Sequence, residues 1–82
     1  MNIELKHLYS DSHILVFKIL HNGDNAGEIE IRPFFREIKI RFRTSEAIVL
    51  NGKLIEEKSR ISDTDRQIIE ELIEEVSNKY LK

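Results

Sequence analysis

Four stretches of the chain alternate apolar and polar residues, and their charges match when neighbouring stretches are paired as antiparallel strands. The pairing aligns apolar residues on one face, in the pairs Leu5–Phe17, Ile19–Ile29 and Ile31–Ile38. The other face then carries alternating charges, in the row Glu4, Lys18, Glu30, Lys39 and in the pairs Glu28–Arg41 and Arg32–Glu37. Each opposite-charge pair stabilises by about 0.2–1 kcal/mol, and a shift of one residue would expose the apolar set. The pattern therefore predicts an antiparallel sheet with one covered face.

Length and composition favour one small soluble domain spanning residues 1–82. The chain is 40% hydrophobic and 34% charged, which is typical of a folded protein and not of a disordered one. Its net charge of −2 gives no general attraction to nucleic acid or acidic membranes. The absence of cysteine excludes disulfides and thiolate metal sites. Because the first twenty residues alternate and include Glu4, Lys6 and Lys18, we predict no signal peptide or membrane span and a cytoplasmic location.

Turn-forming residues divide the chain into six predicted strands. Gly, Asn, Asp and Ser favour turns in the segments 10–12, 22–27, 44–46 and 51–52, and Asn51-Gly52 is the strongest two-residue hairpin signal. Pro33 cannot donate a hydrogen bond to a neighbouring strand, so it ends the third strand. The predicted strands are 2–9, 13–21, 27–32, 37–43, 46–50 and 53–57.

Residues 63–80 are predicted to form one amphipathic helix, capped by Ser62 with Asp65 three residues later. Its length of about 27 Å matches the width of five strands. We therefore predict an α+β domain, an antiparallel β-meander of five to six strands with this C-terminal helix packed on one face. The apolar stripe of the helix consists of Ile68, Ile69, Leu72, Ile73, Val76 and Tyr80. The predicted inner face of the sheet consists of Ile3, Leu5, Leu15, Phe17, Ile19, Ile29, Ile31, Ile38, Ile40 and Phe42.

Apolar residues are also predicted on the face that the helix leaves open. Exposed apolar patches often mark interaction sites, whereas the Phe34-Phe35 turn could instead fold back over its neighbours within the monomer. The first interpretation predicts a non-catalytic interaction module or regulator, a homodimer or the binder of a protein partner. Its predicted contact residues are Leu8, Ile14, Val16, Phe34 and Phe35, with Arg36 and Arg43 as a charged rim.

Segment 32–43 interleaves aromatic and basic residues, as single-stranded nucleic-acid sites do. Bases stack on aromatic rings beside a basic track, at about 1–3 kcal/mol per base. The residues of this alternative site are Arg32, Phe34, Phe35, Arg36, Lys39, Arg41 and Arg43. The competing interpretation is a structural charge ladder, because the same register places Lys39 and Arg41 beside Glu30 and Glu28.

No pattern of catalytic, metal-binding or phosphate-binding residues is found. His7 and His13 are predicted near Asp11, but two histidines and one aspartate are a weak metal signal. The glutamates of segment 70–75 lie on the outward helix face, where a solvated surface is expected. We therefore expect no enzyme activity, cofactor, metal or small-molecule substrate.

The segments 28–35 and 60–65 resemble the strand-end and helix-start patterns of a small coactivator family that binds single-stranded DNA as dimers. The resemblance covers a minority of the chain and implies a sheet of consecutive strands closed by one helix. Extra strands between the two segments depart from the family pattern, so the resemblance is an analogy of topology.

Overall fold

The computed structural model describes residues 3–51, 53–58 and 62–81, with the backbone alone at 54–58. Six strands form one antiparallel sheet in chain order, and a single helix follows them. The strands are β1 (Ile3–Ser10), β2 (Leu15–His21), β3 (Asp24–Arg32), β4 (Glu37–Phe42), β5 (Ser45–Leu50) and β6 (Lys53–Lys58), and the helix is α1 (Asp63–Tyr80). The predicted meander with one C-terminal helix is therefore confirmed.

The hydrophobic core lies between one face of the sheet and α1. Side chains alternate between the two faces of a strand, so every second residue of the central strands points to the helix. Complete burial of an aliphatic or aromatic side chain contributes about 1.5–3 kcal/mol. The sheet supplies Phe17, Ile19, Ile29, Ile31, Ile38, Ile40, Phe42, Ala47 and Val49, and the helix supplies Ile68, Ile69, Leu72 and Val76. Ile3, Leu5 and Leu15 are half-buried at its margin.

The start of α1 is fixed by its own first turn. The Ser62 hydroxyl accepts a hydrogen bond from the backbone N–H of Asp65 at 3.2 Å, as the sequence predicts. Asp63 and Asp65 lie at the positive end of the helix dipole, and Lys79 lies at the negative end. These interactions stabilise the two ends of α1.

Two of the predicted strand registers are wrong by two residues. Leu5 lies opposite Ile19 instead of Phe17, and Ile29 lies opposite Phe17 instead of Ile19. Lys18 consequently faces Lys6 on one side and Glu28 on the other, and it pairs with neither Glu4 nor Glu30. A shift of two residues returns every side chain to the same face, so alternation cannot detect it.

The register between β3 and β4 is the predicted one. The pairs are Glu28–Arg41, Glu30–Lys39, Ile31–Ile38 and Arg32–Glu37. The turn between these strands is short, and its Pro33 restricts the backbone, so few registers are open to the hairpin.

The β2–β3 turn is tighter than predicted, and β3 begins at Asp24 instead of residue 27. Asn22 and Gly23 both have positive φ, 53° and 87°, which is the conformation of a tight two-residue hairpin turn. An irregularity in the β2–β3 register then places Gly27 opposite Ile19. This early return of the chain causes the two-residue shift between β2 and β3.

Two other predicted strand ends are also corrected. β2 begins at Leu15 instead of residue 13, because the Asp11 carboxylate accepts hydrogen bonds from the N–H groups of His13 and Ile14 at 2.7 and 3.0 Å. β4 ends at Phe42 because Arg43 has a φ of 58° and its N–H donates to the carbonyl of Ala26 at 2.7 Å.

Replacement of Gly27 tests the close approach of β3 and β4. A Cβ atom at Gly27 would overlap the backbone carbonyl of Arg41. We expect Gly27→Ala to lower the free energy of unfolding by about 1–3 kcal/mol, as overpacking does. Urea denaturation measures this loss as a lower midpoint with an unchanged slope.

Gly23 provides the matched control, because nothing lies within 4 Å of a Cβ atom placed there. Asn visits the left-handed region readily, so Gly23→Asn should cost less than about 1 kcal/mol. Equal losses in the two variants would contradict the account of Gly27.

Candidate functional site

The most exposed aromatic side chains lie in the turn between β3 and β4, here called the aromatic tip (Pro33–Arg36). The Phe34 side chain is 85% exposed and that of Phe35 is 59% exposed. The two rings pack edge to face with their centroids 5.3 Å apart. The turn therefore does not fold back over the monomer, and it presents a paired aromatic surface to solvent.

The backbone of the aromatic tip is fixed at both ends. Pro33–Phe35 form one turn of 3-10 helix, and Arg36 follows in the left-handed region with φ 52°. The Arg36 N–H donates to the carbonyl of Pro33 at 3.1 Å, and the Arg36 carbonyl accepts from the N–H of Asn51 at 3.0 Å. The rings thus extend from an anchored turn. Preorganisation of this kind lowers the entropic cost of binding.

Other apolar side chains lie at the same end of the sheet, where β1 ends and β2 begins. Leu8 is 42% exposed and Ile14 is half-buried, which agrees with their predicted place on the surface. Val16 is only 5% exposed, so its predicted role as a contact residue is wrong. Its direct neighbours across the sheet are Tyr9 and Glu30, two long side chains that flank it on the open face.

Tyr9 is a surface residue that the sequence analysis missed. Its side chain is 53% exposed at this end of the sheet. The β1–β2 register shifts between His7 and Tyr9, so Leu8 is the extra residue of a bulge and Tyr9 comes to lie opposite Val16. Alternation alone gives no sign of a bulge. The aromatic ring of Tyr9 was the only feature of the sequence that could have indicated a place on this surface.

Arg43 does not belong to the rim of this surface, contrary to the prediction. It lies at the other end of β4, about 23 Å from Arg36 at 3.3 Å per residue. Its guanidinium donates to the Asp65 carboxylate at 3.0 Å and to Nδ1 of His21 at 3.0 Å. The residue thus ties the β4–β5 turn to the first turn of α1, and its charge is used within the fold.

Three other basic residues of segment 32–43 lie next to carboxylates. Arg32 contacts Glu30 at 3.2 Å and Glu37 at 3.3 Å. Arg41 contacts Glu28 at 3.9 Å, and Lys39 lies directly opposite Glu30. Arg36 is exposed, and no ion pair joins it to another described residue. This arrangement favours the charge-ladder interpretation over a continuous basic track.

A shallow depression of about 260 Å³ lies on the open face of the sheet, over β3, β4 and β5. Its charged lining residues are Glu28, Glu30, Lys39, Arg41 and Glu46, and Ile48 adds an apolar edge. Cross-strand pairing sets each cation against a carboxylate, in the order Glu28, Arg41, Glu46. Three carboxylates against two cations leave a net charge of −1, so the depression offers little concentrated charge to an ionic ligand. The sequence pattern gives no indication of this depression.

The histidines are separated by the fold. The His7 ring packs edge to face on Phe17, with centroids 5.5 Å apart, on the helix side of the sheet. The backbone of His13 belongs to the loop that Asp11 caps. Within residues 3–51, 53 and 62–81, no three His, Asp or Glu side chains are grouped as metal ligands. No helix in that part of the chain is long and apolar enough to cross a bilayer.

The charge state of Asp11 should control the loop beside Leu8 and Ile14. The N–H of His13, and then that of Ile14, bonds to the carboxylate and lowers the pKa of Asp11 below its ordinary value. A carboxyl group with a lowered pKa in the fold stabilises the fold above its unfolded pKa. This contribution is lost as pH falls through the folded pKa.

We therefore expect Asp11→Ala to unfold more readily than the wild type at pH 7, and the gap to close in acid. Thermal unfolding across a pH series measures the gap, and NMR of the carboxyl carbon measures the pKa. A pKa at or above that of an unfolded peptide, or a gap that stays constant in acid, would show that the loop is held in another way.

Comparison with known proteins gives no match to this chain among protein-family profiles, curated protein sequences or solved structures. The resemblance of segments 28–35 and 60–65 to the coactivator family therefore stays an analogy. Residues 60 and 61 of the second segment lie outside the described residues.

Proposed function

We propose that this chain is a non-catalytic protein-interaction module, homodimeric and cytoplasmic, that binds an apolar surface of a partner protein through the aromatic tip. Leu8, Tyr9 and Ile14 extend the contact at the same end of the sheet, and Arg36 supplies the charge beside it. The observation that carries the proposal is the 85% exposure of Phe34 in an anchored turn.

The physical argument is the cost of leaving these rings in water. Phe34 and Phe35 stabilise the monomer little, because most of their surface is exposed. Aromatic side chains are enriched at the energetic centres of protein interfaces, where burial in the partner supplies the binding energy. A rigid turn that presents two such rings has the properties of an interface anchor.

The surrounding charges support a protein as the partner. The cations of β3 and β4 are matched by carboxylates, so the region attracts neither anions nor cations strongly. Arg36 is the exception among the described residues of this region, and it lies directly beside the rings. A protein surface with an apolar pocket and an acidic rim fits this pattern better than a polyanion does.

Removal of both rings tests the proposal. We expect Phe34→Ser with Phe35→Ser to weaken partner binding by about 2 kcal/mol or more, as truncation of an interface anchor does. The stability of the monomer should change by only about 0.5 kcal/mol, because the side chains are exposed. Affinity capture from lysate identifies the partner, and calorimetry with the purified partner measures the loss.

Phe34→Leu with Phe35→Leu is the matched control, because it keeps apolar area and removes the aromatic rings. A protein contact should survive this variant in large part. A wild-type chain that sediments as a monomer and retains no protein from lysate would refute the proposal.

Single-stranded nucleic-acid binding is the second candidate, favoured by the same exposed rings beside Arg36. Base stacking needs the rings themselves, so here the leucine variant should bind as poorly as the serine variant. We expect no measurable binding of a single-stranded oligonucleotide at physiological salt by fluorescence anisotropy. Tight binding that weakens steeply with added salt would instead establish this alternative.

A further inference from the structure

The edge strand β1 carries two charges that lack a complement among the residues that the structure describes. Lys6 lies directly opposite Lys18, and Glu4 lies opposite Leu20. Among the described residues, neither Glu4 nor Lys6 makes an ion pair. In the middle of the sheet, by contrast, Glu28 faces Arg41. Like charges directly opposite each other destabilise a sheet, so the cross-strand charge pattern fails at Lys6 and Lys18.

The backbone of β1 is also available for pairing. The described strands follow the order β1 to β6, so β1 has a strand neighbour on one side only. An edge strand exposes N–H and C=O groups that can pair with another strand. A bulge follows His7, so the regular described part of β1 runs from Ile3 to His7 and has Leu5 at its centre.

We propose that two copies of this chain pair through their β1 strands, antiparallel, about a two-fold axis that passes beside Leu5. This inference rests on the homodimer in the proposed function and names its contact. The two sheets then continue into each other, and both helices lie on the same face. Each copy sets Glu4 opposite Lys6 of the second copy, so both unmatched charges gain a partner.

Among the registers that a two-fold axis allows, the charges favour this one. A two-fold axis normal to the sheet places one residue opposite its own copy. An axis at Glu4 would oppose two glutamates, and an axis at Lys6 would oppose two lysines. An axis at His7 would set Lys6 opposite Leu8 and leave Glu4 unmatched. Only the axis at Leu5 joins glutamate to lysine, and it also centres the regular part of the strand.

The helix side of β1 also leaves apolar surface that a second copy of the chain could cover. A groove of about 230 Å³ lies between β1 and α1, lined by Ile3, Ile68 and Leu72 with Glu71 and Glu75 at its rim. Ile3 and Leu5 are only half-buried there, so apolar surface is left for a partner. In the proposed register His7 of the second copy lies opposite Ile3. His7 of the second copy then lies beside the β1 residue that lines the groove.

Charge reversal provides the first test. Lys6→Glu and Glu4→Lys should each raise the dimer dissociation constant by about tenfold or more, because each opposes like charges twice across the axis. Lys6→Glu also replaces the Lys6–Lys18 contact within the chain by an opposite-charge pair, so the monomer should not lose stability. Sedimentation velocity measures dissociation, and urea denaturation measures stability.

Mixing the two single variants is the decisive test of the register. A copy of Glu4→Lys beside a copy of Lys6→Glu restores opposite charges at both positions, so the mixture should form a heterodimer that neither variant forms alone. The double variant Glu4→Lys with Lys6→Glu should dimerise like the wild type. If the mixture stays monomeric, or if Lys6→Glu dimerises as tightly as the wild type, the register is wrong.

Cysteine cross-linking tests the register directly, because the chain contains no cysteine. Leu5→Cys should give a disulfide-linked dimer on mild oxidation, since the two copies of this residue are direct neighbours across the axis. His7→Cys should not, because its two copies are separated by about 13 Å along the strands. Cross-linking at residue 7 and none at residue 5 would overturn the proposal.

The serine variant at Phe34 and Phe35 separates this inference from the proposed function. It should remain dimeric while it loses the partner protein. A variant that becomes monomeric would place the dimer contact at the aromatic tip instead of at β1. A wild-type chain that is monomeric at millimolar concentration would overturn the β1 pairing and leave the partner site to be judged on its own test.

Discussion

Burial of one face of the sheet under α1 is the constraint on which the rest of the structure depends. Isoleucines at every second position of β3 and β4 point to the helix and are almost completely buried. Since one helix covers one face, the charged residues of the same strands must lie on the open side. The charge ladder and the shallow depression are both consequences of that single burial, because each lies on the uncovered face.

The fold could be predicted without the correct registers, because the face on which a side chain lies and the register of its strand are separate properties. The alternation of residues fixes the face, and the apolar stripe of α1 fixes what covers it. Register depends on the turns. The four residues from Pro33 to Arg36 left little freedom, so β3–β4 pairing was correctly predicted. The tight turn at Asn22-Gly23 and the four-residue loop 11–14 each altered the count of residues between strands, so the β2–β3 and β1–β2 registers were wrong.

The candidate site was predictable in part for the same reason. Phe34 and Phe35 follow a proline that ends a strand, so their place in a turn could be read from the chain. Their exposure could not, since a turn that folds back has the same sequence. Val16 was assigned to the correct face, yet flanking side chains bury it. Arg43 was assigned to the wrong function because its salt bridge joins residues 22 positions apart. Contacts of that range leave no local pattern.

The sequence by itself determined which residues face the helix, where α1 begins, and that β3 and β4 pair charge against charge. These properties follow from periodicity, capping and short turns, all of which act over a few residues. Only the tertiary structure decided that Lys6 faces Lys18, that Gly27 passes against the Arg41 carbonyl, and that Arg43 is bound to Asp65. Each depends on strand register or on packing between distant elements, where a small displacement changes the neighbours of a side chain without changing the face on which it lies.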